Sequence, residues 1–428
     1  MKKTLLTLIL VFSAIILFAQ KEEYKREINK EFSVSANSQL AISNIYGNVN
    51  IIESNEGKIA FKIEITGKGT DAETAKKYAE GVDVDFTSNN NNVSAKTSLP
   101  KISCSNCGIS IDYVVIVPRS ATMDFNLKYG NLTLNDTPKP LKVEILYGNF
   151  KANNITDANI KSQYGNVKFE KCNDLNANLL YSDLNVTTMS KADIDTKYGN
   201  IVLGTCGDIR INSDYTDIKA DVAANTVIDV KYANVAIGKC KDIKINSRYA
   251  DFKSNSVSDA NIDIQYASVE IGTCKDLLLK SMYTDFKFGE ISSIKANSQY
   301  DGFNIKTIND FTITTIYTDI KIDKLNNSFT ASKFTYGDLT VTNIDKSFSK
   351  IKVDNGMYSD FKLGLNEQHN FKANLNAGEY GEMKSGKITF NNVTLSKNRN
   401  AIVGTAGKSD NPKAEVSISA NYGNIIFK

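Results

Sequence analysis

The sequence predicts an all-β protein whose main body is a parallel β-solenoid with a repeating 17-residue coil. Apolar and polar residues alternate on both sides of regularly spaced tyrosines, which is the period of a strand with one buried face. Ten successive tyrosine intervals share the same 17-residue length. One such unit is too thin to bury its own apolar face, so the units must stack. The tyrosines of this ladder are Tyr147, Tyr164, Tyr181, Tyr198, Tyr215, Tyr232, Tyr249, Tyr266, Tyr283, Tyr300 and Tyr317.

Residues 1–19 have the layout of a secretory signal peptide. Lys2 and Lys3 form a basic start, an apolar run follows from Leu5 to Phe18, and the small Ala19 precedes the expected cleavage point. A membrane anchor is the alternative, but the apolar run is short for a bilayer span and no stop-transfer flank follows it. We therefore expect an exported mature chain without a transmembrane segment, in the periplasm, at the cell surface or outside the cell.

Residues 20–128 lack the strict period and are predicted to form a β-rich N-terminal module. Lys58–Thr66 and Ile109–Val117 alternate as strands. Between them, Ala72–Gly81 is the one convincing helix of the sequence, and it ends at glycine. The module is expected to continue into the first regular coils.

Residues 129–336 form the regular part of the predicted solenoid. Before Tyr249, for example, the alternate positions Ile243 and Ile245 are apolar, and the dipeptide Ala250-Asp251 follows as a bend. Gly, Asn and Asp at such bends suit tight turns. A β-sandwich or an up-and-down barrel is the alternative, but neither fold requires a constant residue spacing.

The repeat is compatible with a 17-residue coil or with a 34-residue coil of four strands, because four cysteines recur with a 34-residue period. A 34-residue coil would stack Asp183, Asp217, Asp251 and Asp285 directly on one another. A 17-residue coil separates Asp183, Asp217 and Asp251 from each other by asparagines, and it is therefore favoured. It places the cysteines on alternate coils, too far apart for a disulfide. We thus predict four buried free thiols, at Cys172, Cys206, Cys240 and Cys274.

Residues 337–428 are predicted to form irregular C-terminal coils and a cap. The tyrosine spacing loosens after Tyr336, which is consistent with inserted residues and with a region that shields the last coil's edge. Near the end, Val416 and Ile418 return to the alternating pattern before Tyr422.

Composition and charge exclude several function classes. Apolar residues make up 41% of the chain, which is enough for a sizeable core. Lys and Arg number 51 against 48 Asp and Glu, so no electrostatic signature of a nucleic-acid partner is present. The single histidine, His369, cannot supply a multi-histidine zinc site.

Cys104 and Cys107 form a C-x-x-C motif, which occurs in redox-active sites and in zinc sites. A thioredoxin-like site needs a strand followed by a helix, whereas an alternating strand follows here. Zinc would require two more ligands, and none is visible nearby. In an exported chain the favoured interpretation is a structural disulfide between Cys104 and Cys107 or a paired turn. The four repeat cysteines occupy slots filled elsewhere by Ile, Ala, Val or Leu, so they are interpreted as small core residues rather than as a metal ladder.

The Asn/Asp position two residues after each tyrosine could bind calcium through a row of carboxylates. That row mixes Asn, Asp and Ser and lacks the G-G-x-G-x-D signature, so turn geometry and amide stacking are favoured. The tyrosines could form an aromatic platform for sugars. Their phase predicts that most of each ring lies inside the core or at its corner. No cofactor is expected, and no metal or catalytic residue is assigned.

The leader, the Ile45–Val49 segment (IYGNV), the Cys104-x-x-Cys107 motif with Val114–Pro118, and the serial Y-G-N/D strands resemble the bacterial DUF4097 family. These are adhesin-like β-strand-repeat proteins, related in style to the GIN head domain proposed for autotransporter adhesins. The resemblance covers nearly the whole mature chain. It implies an exported β-helical protein with a surface or envelope role, and it brings no catalytic residues.

These observations favour a non-enzymatic exported solenoid that acts as an adhesin or envelope binding protein, with an unknown surface glycan or protein as partner. A structural or signalling-associated periplasmic protein without an external ligand is the alternative. A polysaccharide-active β-helix enzyme ranks last, because 17-residue coils leave no room for the long loops that wall a cleft.

Overall fold

The computed structural model describes residues 22–89, 91–101, 106–395, 400–409 and 411–428. The predicted signal peptide lies outside these residues. The described chain is almost entirely β-structure, and it divides into two compact units, one ending at Thr133 and the other spanning Leu134–Lys428. The predicted all-β solenoid class is confirmed by the long run of parallel strand pairs in the second unit.

The first unit contains nine strands and the one helix of the described residues. They are β1 (Glu22–Ser33), β2 (Gln39–Ile45), β3 (Val49–Ser54), β4 (Lys58–Gly69), α1 (Ala72–Glu80), β5 (Asp83–Asn89), β6 (Asn92–Ser98), β7 (Gly108–Pro118), β8 (Thr122–Lys128) and β9 (Leu132–Thr133). Strands β2 and β3 form one coil-like turn and strands β8 and β9 form the next, and the two turns are joined by the parallel pairs β2–β8 and β3–β9. On their other side, β6 and β7 pair in parallel with β2 and β3, and antiparallel strands β5, β4 and β1 complete the unit.

The predicted helix at Ala72–Gly81 is confirmed as α1. Asp71 caps its N-terminus by accepting a hydrogen bond from the Thr74 backbone N–H, and Gly81 follows as the C-cap. Ala75 and Ala79 are buried, and a Cβ built on Gly67 of β4 would lie 2.2 Å from the Ala75 carbonyl oxygen. Small residues on both elements therefore let the helix approach the strand closely.

The second unit is the solenoid itself. Its strands are β10 (Asp136–Thr137), β11 (Leu141–Leu146), β12 (Phe150–Gln163), β13 (Asn166–Leu180), β14 (Asp183–Lys231), β15 (Asn234–Arg248), β16 (Asp251–Gln299), β17 (Gly302–Ile316), β18 (Asp319–Thr335), β19 (Leu339–Ile344), β20 (Lys350–Met357), β21 (Phe361–Leu363), β22 (Phe371–Asn376), β23 (Met383–Lys384), β24 (Phe390–Leu395), β25 (Ala401–Ala406), β26 (Ala414–Asn421) and β27 (Ile425–Phe427).

The strand register establishes a 17-residue coil. Ile160 pairs with Ala177, and Ala177 pairs with Ile194, in parallel strands that are one coil apart. The same offset joins Ile228 to Ile245 farther along the chain. The 34-residue alternative is therefore excluded for this part of the chain.

The core is built from columns of like residues, because identical positions of successive coils lie above one another. One column runs through Ile211, Ile228, Ile245 and Ile262, all at most 1% exposed. Burying each such side chain contributes roughly 1.5–3 kcal/mol, so the repeated strands supply most of the stability of the unit. Four described cysteines are free and buried in a neighbouring column, as predicted: Cys172, Cys206, Cys240 and Cys274.

The coils near Tyr336 become larger, and the order of the strands ceases to follow the sequence. Ile320 pairs with Leu339, an offset of nineteen, and Phe329 pairs with Ile351, an offset of twenty-two. Strands β26 and β27 then pair with β20 and β21 on one side and with β22 and β23 on the other. A segment from late in the sequence thus lies between two earlier coils. Antiparallel strands β25 and β24 follow beyond β22 and cover its edge.

Candidate binding surface

Most coils of the second unit turn at a tyrosine with a left-handed backbone. Fourteen of its tyrosines have φ between 50° and 59°, for example 55° at Tyr232 and 56° at Tyr300. For a bulky residue this conformation is an outlier, since the left-handed region normally belongs to Gly, Asn or Asp. The turn is held by backbone hydrogen bonds to the next coil, such as Tyr232 N–H to the Arg248 carbonyl at 3.1 Å.

This backbone conformation places the ring at the corner and outside the core. Tyr215 is 48% exposed and Tyr249 is also 48% exposed. In these coils the residue after the ring occupies the interior instead: Thr216 is fully buried and Ala250 is 2% exposed. The sequence analysis expected each ring to lie either inside the core or at its corner. The structure places the rings at the corner, so the interior position is wrong. Simple alternation would point the tyrosine inward, but the left-handed residue shifts the alternation by one position.

The rings form one continuous stack along the second unit. Fourteen neighbouring pairs have centroid separations of 4.7–5.1 Å and interplanar angles of 1–14°. This spacing equals the distance between neighbouring strands of a sheet. We call the fifteen rings the tyrosine column: Tyr147, Tyr164, Tyr181, Tyr198, Tyr215, Tyr232, Tyr249, Tyr266, Tyr283, Tyr300, Tyr317, Tyr336, Tyr358, Tyr422 and Tyr380, in spatial order. Within the first unit, Tyr46 and Tyr129 stack in the same way at 5.0 Å.

Stacking covers the ring faces and leaves the ring edges and hydroxyl groups exposed. A sugar that stacks on an aromatic face therefore has no free face along the column between its ends. The aromatic platform for sugars, considered as an alternative from the sequence, is therefore not available along the column, although phenol hydroxyls remain as hydrogen-bond donors and acceptors. The column presents a row of polar edges at a constant spacing.

Tyrosine is not the residue that stability alone would select at these turns. A left-handed backbone costs an L-residue roughly 1–2 kcal/mol, and an aromatic pair returns about 0.5–1.5 kcal/mol beyond its buried area. The backbone strain therefore offsets much of the specific stacking gain, whereas glycine or asparagine would adopt this turn without strain. Phenylalanine would stack equally, which leaves the exposed hydroxyl without a structural role in the turn.

An Asn/Asp column runs beside the tyrosines, two residues farther along each coil. Asp183 Oδ1 accepts hydrogen bonds from the backbone N–H and the side-chain amide of Asn200, at 2.8 and 3.0 Å. Asp217 Oδ1 does the same for Asn234 at 2.7 and 3.2 Å. These contacts favour turn geometry and amide pairing over calcium binding as the role of this column. Among the described residues, no three His, Cys, Asp or Glu side chains are grouped so that they could hold a metal ion.

A shallow groove follows another corner of the coil, ten to twelve residues after each tyrosine. One stretch of about 610 Å³ has Ile243, Ala260 and Leu277 as its floor, with Asp259 and Lys244 on its sides. A second stretch of about 450 Å³ lies at the equivalent positions of earlier coils, around Leu175. The residues beside the floor vary from coil to coil, for example Lys244, Asn261 and Leu278 at equivalent positions.

The cysteines do not form a reactive site. Burial raises the pKa of the thiols of Cys172 and Cys274 to about 12 and that of Cys206 to about 11, with nearby aspartates adding to the effect. Since the thiolate is the nucleophile and metal ligand, these thiols are inert near neutral pH. Cys107 is disulfide-bonded, but Cys104 lies outside the described residues, so their pairing with each other stays a prediction.

Asp301 is an unusual residue that sequence reasoning did not single out. It occupies the buried slot after Tyr300, which neighbouring coils fill with Thr284 and Thr318, and it is 6% exposed. Its carboxylate accepts hydrogen bonds from the hydroxyls of Ser281 and Ser298, at 2.6 and 2.5 Å. Burial raises the pKa of Asp301 above its ordinary value, although these hydrogen bonds oppose the shift. The sequence held one signal of this burial. Most other coils place a small or hydroxyl residue directly after the tyrosine and Asn or Asp next, whereas Tyr300 is followed by Asp301 and then Gly302.

Comparison with known proteins gives no family assignment. No family model matches the chain, so the resemblance to DUF4097 stays without such support, and no curated protein matches it either. No described helix has the length and apolar character needed to cross a membrane.

Three solved structures have limited similarity to the chain. A putative adhesin from Bacteroides fragilis is 13% identical, with a TM-score of 0.28, over 55% of this chain and 97% of that one. A putative cell adhesion protein from Clostridium sporogenes is 12% identical, with a TM-score of 0.21, over 55% of this chain and all of the other. A putative adhesin from Parabacteroides distasonis is 11% identical, with a TM-score of 0.20, over 77% and 97% of the two chains. These scores are too low to assign a function to this chain.

Proposed function

We propose that this protein is an exported, non-enzymatic β-solenoid that binds a partner at the cell surface, in the manner of an adhesin. The tyrosine column and the adjacent Asn/Asp column are the proposed binding surface. The observation that carries the proposal is the row of exposed phenol hydroxyls, which neither the turn nor the ring stacking requires. Bulky residues held in a sparsely populated backbone region cluster at functional sites, which supports a binding role for these turns.

The distribution of chemical groups favours binding over catalysis. Each coil presents the same few side chains as the coil before it, rather than bringing different groups together at one point. Repeat proteins use such extended surfaces to contact elongated partners. Because the ring faces are covered, the partner is expected to hydrogen-bond to the hydroxyl edges and to the Asn/Asp side chains. An elongated surface glycan or an extended protein segment has this character.

The proposal is tested with the mature chain on glycan arrays and on panels of surface proteins. For any partner found, a triple variant with Tyr198, Tyr215 and Tyr232 changed to Phe removes hydroxyls but keeps the stacked rings. We expect this variant to lose affinity while its thermal unfolding stays close to that of the parent. A matched variant of the groove, with Lys244 and Lys295 changed to Ala, should bind like the parent.

Three outcomes would contradict the proposal. Equal affinity of the phenylalanine variant and the parent would show that the column is not the binding surface. Protection of the protein from added protease in intact cells would exclude adhesion and favour the periplasmic alternative. Turnover of any polysaccharide on the array would show an enzyme.

A further inference from the structure

The residue directly before each tyrosine lies on the outer surface, beside the tyrosine column. Between Tyr147 and Tyr317 these positions are apolar or carry an amide in seven coils, and they are charged only in four successive coils. Three of those four charges are positive, so the middle of an otherwise uniform column has a chemistry of its own. The positions are, in order, Leu146, Gln163, Leu180, Lys197, Asp214, Lys231, Arg248, Gln265, Met282, Gln299 and Ile316.

Lys231 and Arg248 are two cations that lie directly above one another. They are register partners in parallel strands, one strand spacing of about 4.8 Å apart, and both are exposed. Like charges in this arrangement destabilise a sheet. Other surface lysines are neutralised, as Lys253 is by Glu270 at 2.9 Å, but among the described residues neither Lys231 nor Arg248 forms an ion pair. Two cations on neighbouring coils are therefore left without a carboxylate.

The carboxylates at neighbouring positions do not neutralise these cations. Asp214 precedes Lys231 by one coil, and Asp229 lies two residues before Lys231 on the same strand. Neither carboxylate is within ion-pair distance of Lys231 in the described part of the chain. On the other side, the register partner of Arg248 is the uncharged Gln265. An added anion would relieve a repulsion that the chain itself leaves in place.

Two phenol hydroxyls accompany the two cations. Tyr232 and Tyr249 directly follow them in the sequence, and the two rings are parallel within 1° at a centroid separation of 5.1 Å. Both rings are half-exposed. A long side chain at the preceding position can reach its own tyrosine, since Lys197 Nζ lies 5.2 Å from the Tyr198 ring centroid. One acid group can therefore contact both a cation and a phenol hydroxyl.

We propose that Lys231, Arg248 and the hydroxyls of Tyr232 and Tyr249 hold an acid group of a linear acidic glycan. This inference rests on the proposed function and specifies its partner. The oxygens of a carboxylate or a sulfate accept hydrogen bonds from a guanidinium, an ammonium group and phenols. The negative charge also offsets the repulsion between the two cations. The uncharged coils on either side are left to contact the sugar hydroxyls of the same polymer.

The backbone pairing favours a glycan over an acidic protein segment. Extended peptides are commonly bound by adding a strand to an open sheet edge. At these coils the edges are occupied, since β15 pairs with β14 on one side and with β16 on the other. The partner therefore meets side chains alone, namely phenol hydroxyls and the Asn/Asp column. A glycan offers hydroxyl groups to such donors and acceptors along its whole length.

The first experiment compares polymers that share a backbone and differ in charge. Calorimetric titration of the mature chain should show binding of polygalacturonate that weakens as salt is added, and little binding of its fully methyl-esterified form. Dextran sulfate and dextran form a second pair, which tells whether the acid is a sulfate rather than a carboxylate. Equal affinity for the charged and the neutral member of both pairs would overturn the proposal. So would tighter binding of polyglutamate than of either acidic glycan.

The second experiment removes the two cations by Lys231→Gln combined with Arg248→Gln. Affinity for the acidic glycan should fall about tenfold. Because both side chains are exposed and like charges are removed, the melting temperature should equal that of the parent or rise slightly. The matched control, Lys244→Gln with Lys295→Gln, removes the same charge from the groove and should bind like the parent.

Failure of this inference and failure of the proposed function give different results. If the Lys231 and Arg248 double variant binds the acidic glycan as tightly as its control, the cation site is wrong. If the triple phenylalanine variant at Tyr198, Tyr215 and Tyr232 still loses affinity in that assay, the proposed binding surface holds without the cation site. If neither variant loses affinity, both proposals are wrong.

Discussion

Replacing the buried carboxylate of Asp301 should stabilise the solenoid near neutral pH. The change to test is Asp301→Thr, since Thr284 and Thr318 fill the same slot in the neighbouring coils. Thr318 donates its hydroxyl to the Ile316 carbonyl at 3.3 Å, and a threonine at 301 can use the equivalent carbonyl. The serine hydroxyls released by the change also have a local acceptor, as Ser247 shows by donating to the Ala250 carbonyl at 2.8 Å.

The magnitude follows from the balance of desolvation against hydrogen bonding. Burying a carboxylate costs several kcal/mol, and the hydroxyls of Ser281 and Ser298 together with the Thr284 backbone N–H offset only part of that cost. We expect Asp301→Thr to raise the free energy of unfolding by about 1–2 kcal/mol near neutral pH. This is a sizeable effect for a single substitution.

The effect depends on pH with a defined sign. Because the folded-state pKa of Asp301 is raised, the folded chain holds that proton more tightly than the unfolded chain. In the unsubstituted protein, the stability that protonated Asp301 contributes is therefore complete below the pKa of this group in the unfolded chain, about 4. It is lost as the pH rises through the pKa of Asp301 in the folded chain. The advantage of the threonine variant should grow over the same range.

Thermal unfolding measured at a series of pH values is the assay, supported by hydrogen exchange of the Thr284 and Thr318 amides. Asp285→Asn is the control, because Asp285 is exposed, and it should shift the melting temperature little at any pH. If Asp301→Thr lowers the melting temperature near neutral pH, the carboxylate is a net stabilising group and the reasoning is refuted; an effect that does not change with pH would refute the ionisation argument.

Three further predictions concern the core, the turns and the thiols. Ile245→Asp places an unpaired carboxylate at a position that is 1% exposed, so it should lower the melting temperature strongly. Lys244→Asp, at the exposed neighbouring position, should be nearly neutral. Equal effects of the two variants would contradict the assignment of Ile245 to the core and of Lys244 to the surface. Tyr232→Asn removes two ring contacts but relieves the left-handed strain at one turn, so the melting temperature should fall only modestly; a drop as large as that of Ile245→Asp would show that stacking dominates the stability of the turns. Thiol counting should find four thiols that react only after unfolding, namely those of Cys172, Cys206, Cys240 and Cys274. Reaction of these thiols in the folded chain, or disulfides mapped among them, would contradict this prediction.

The coil was predictable because one period governs every level of the solenoid. The 17-residue spacing fixes which residues lie above one another. The mixed Asn/Asp row, with Asn200 after Asp183, favours the shorter coil, because a 34-residue coil would stack aspartates directly. The helix was predictable from its spacing and its terminal Gly81. Local signals of this kind need no knowledge of distant contacts.

The exposed position of the tyrosines was harder to predict, because alternation does not show a left-handed residue. A signal was nevertheless present. Inward residues occupy even offsets before Tyr249, as Ile243 and Ile245 do, but odd offsets after it, as Ala250 and Phe252 do. That change of parity marks an irregular backbone at the tyrosine. The burial of Asp301 depends on the same shift.

The placement of β26 and β27 between earlier coils was not predictable, since it depends on pairing between segments far apart in the sequence. It has a consequence for vectorial folding. Coils can be added in sequence order as far as Leu363, but the strand that pairs next begins at Ala414. The chain must hold a loop of about 50 residues open until that segment docks, at an entropic cost that rises slowly with loop length. During synthesis or transport from the amino-terminal end, β20 and β21 therefore remain an unpaired growing edge. Strands β26 and β27, which pair with them, also form the seat for β22 and β23.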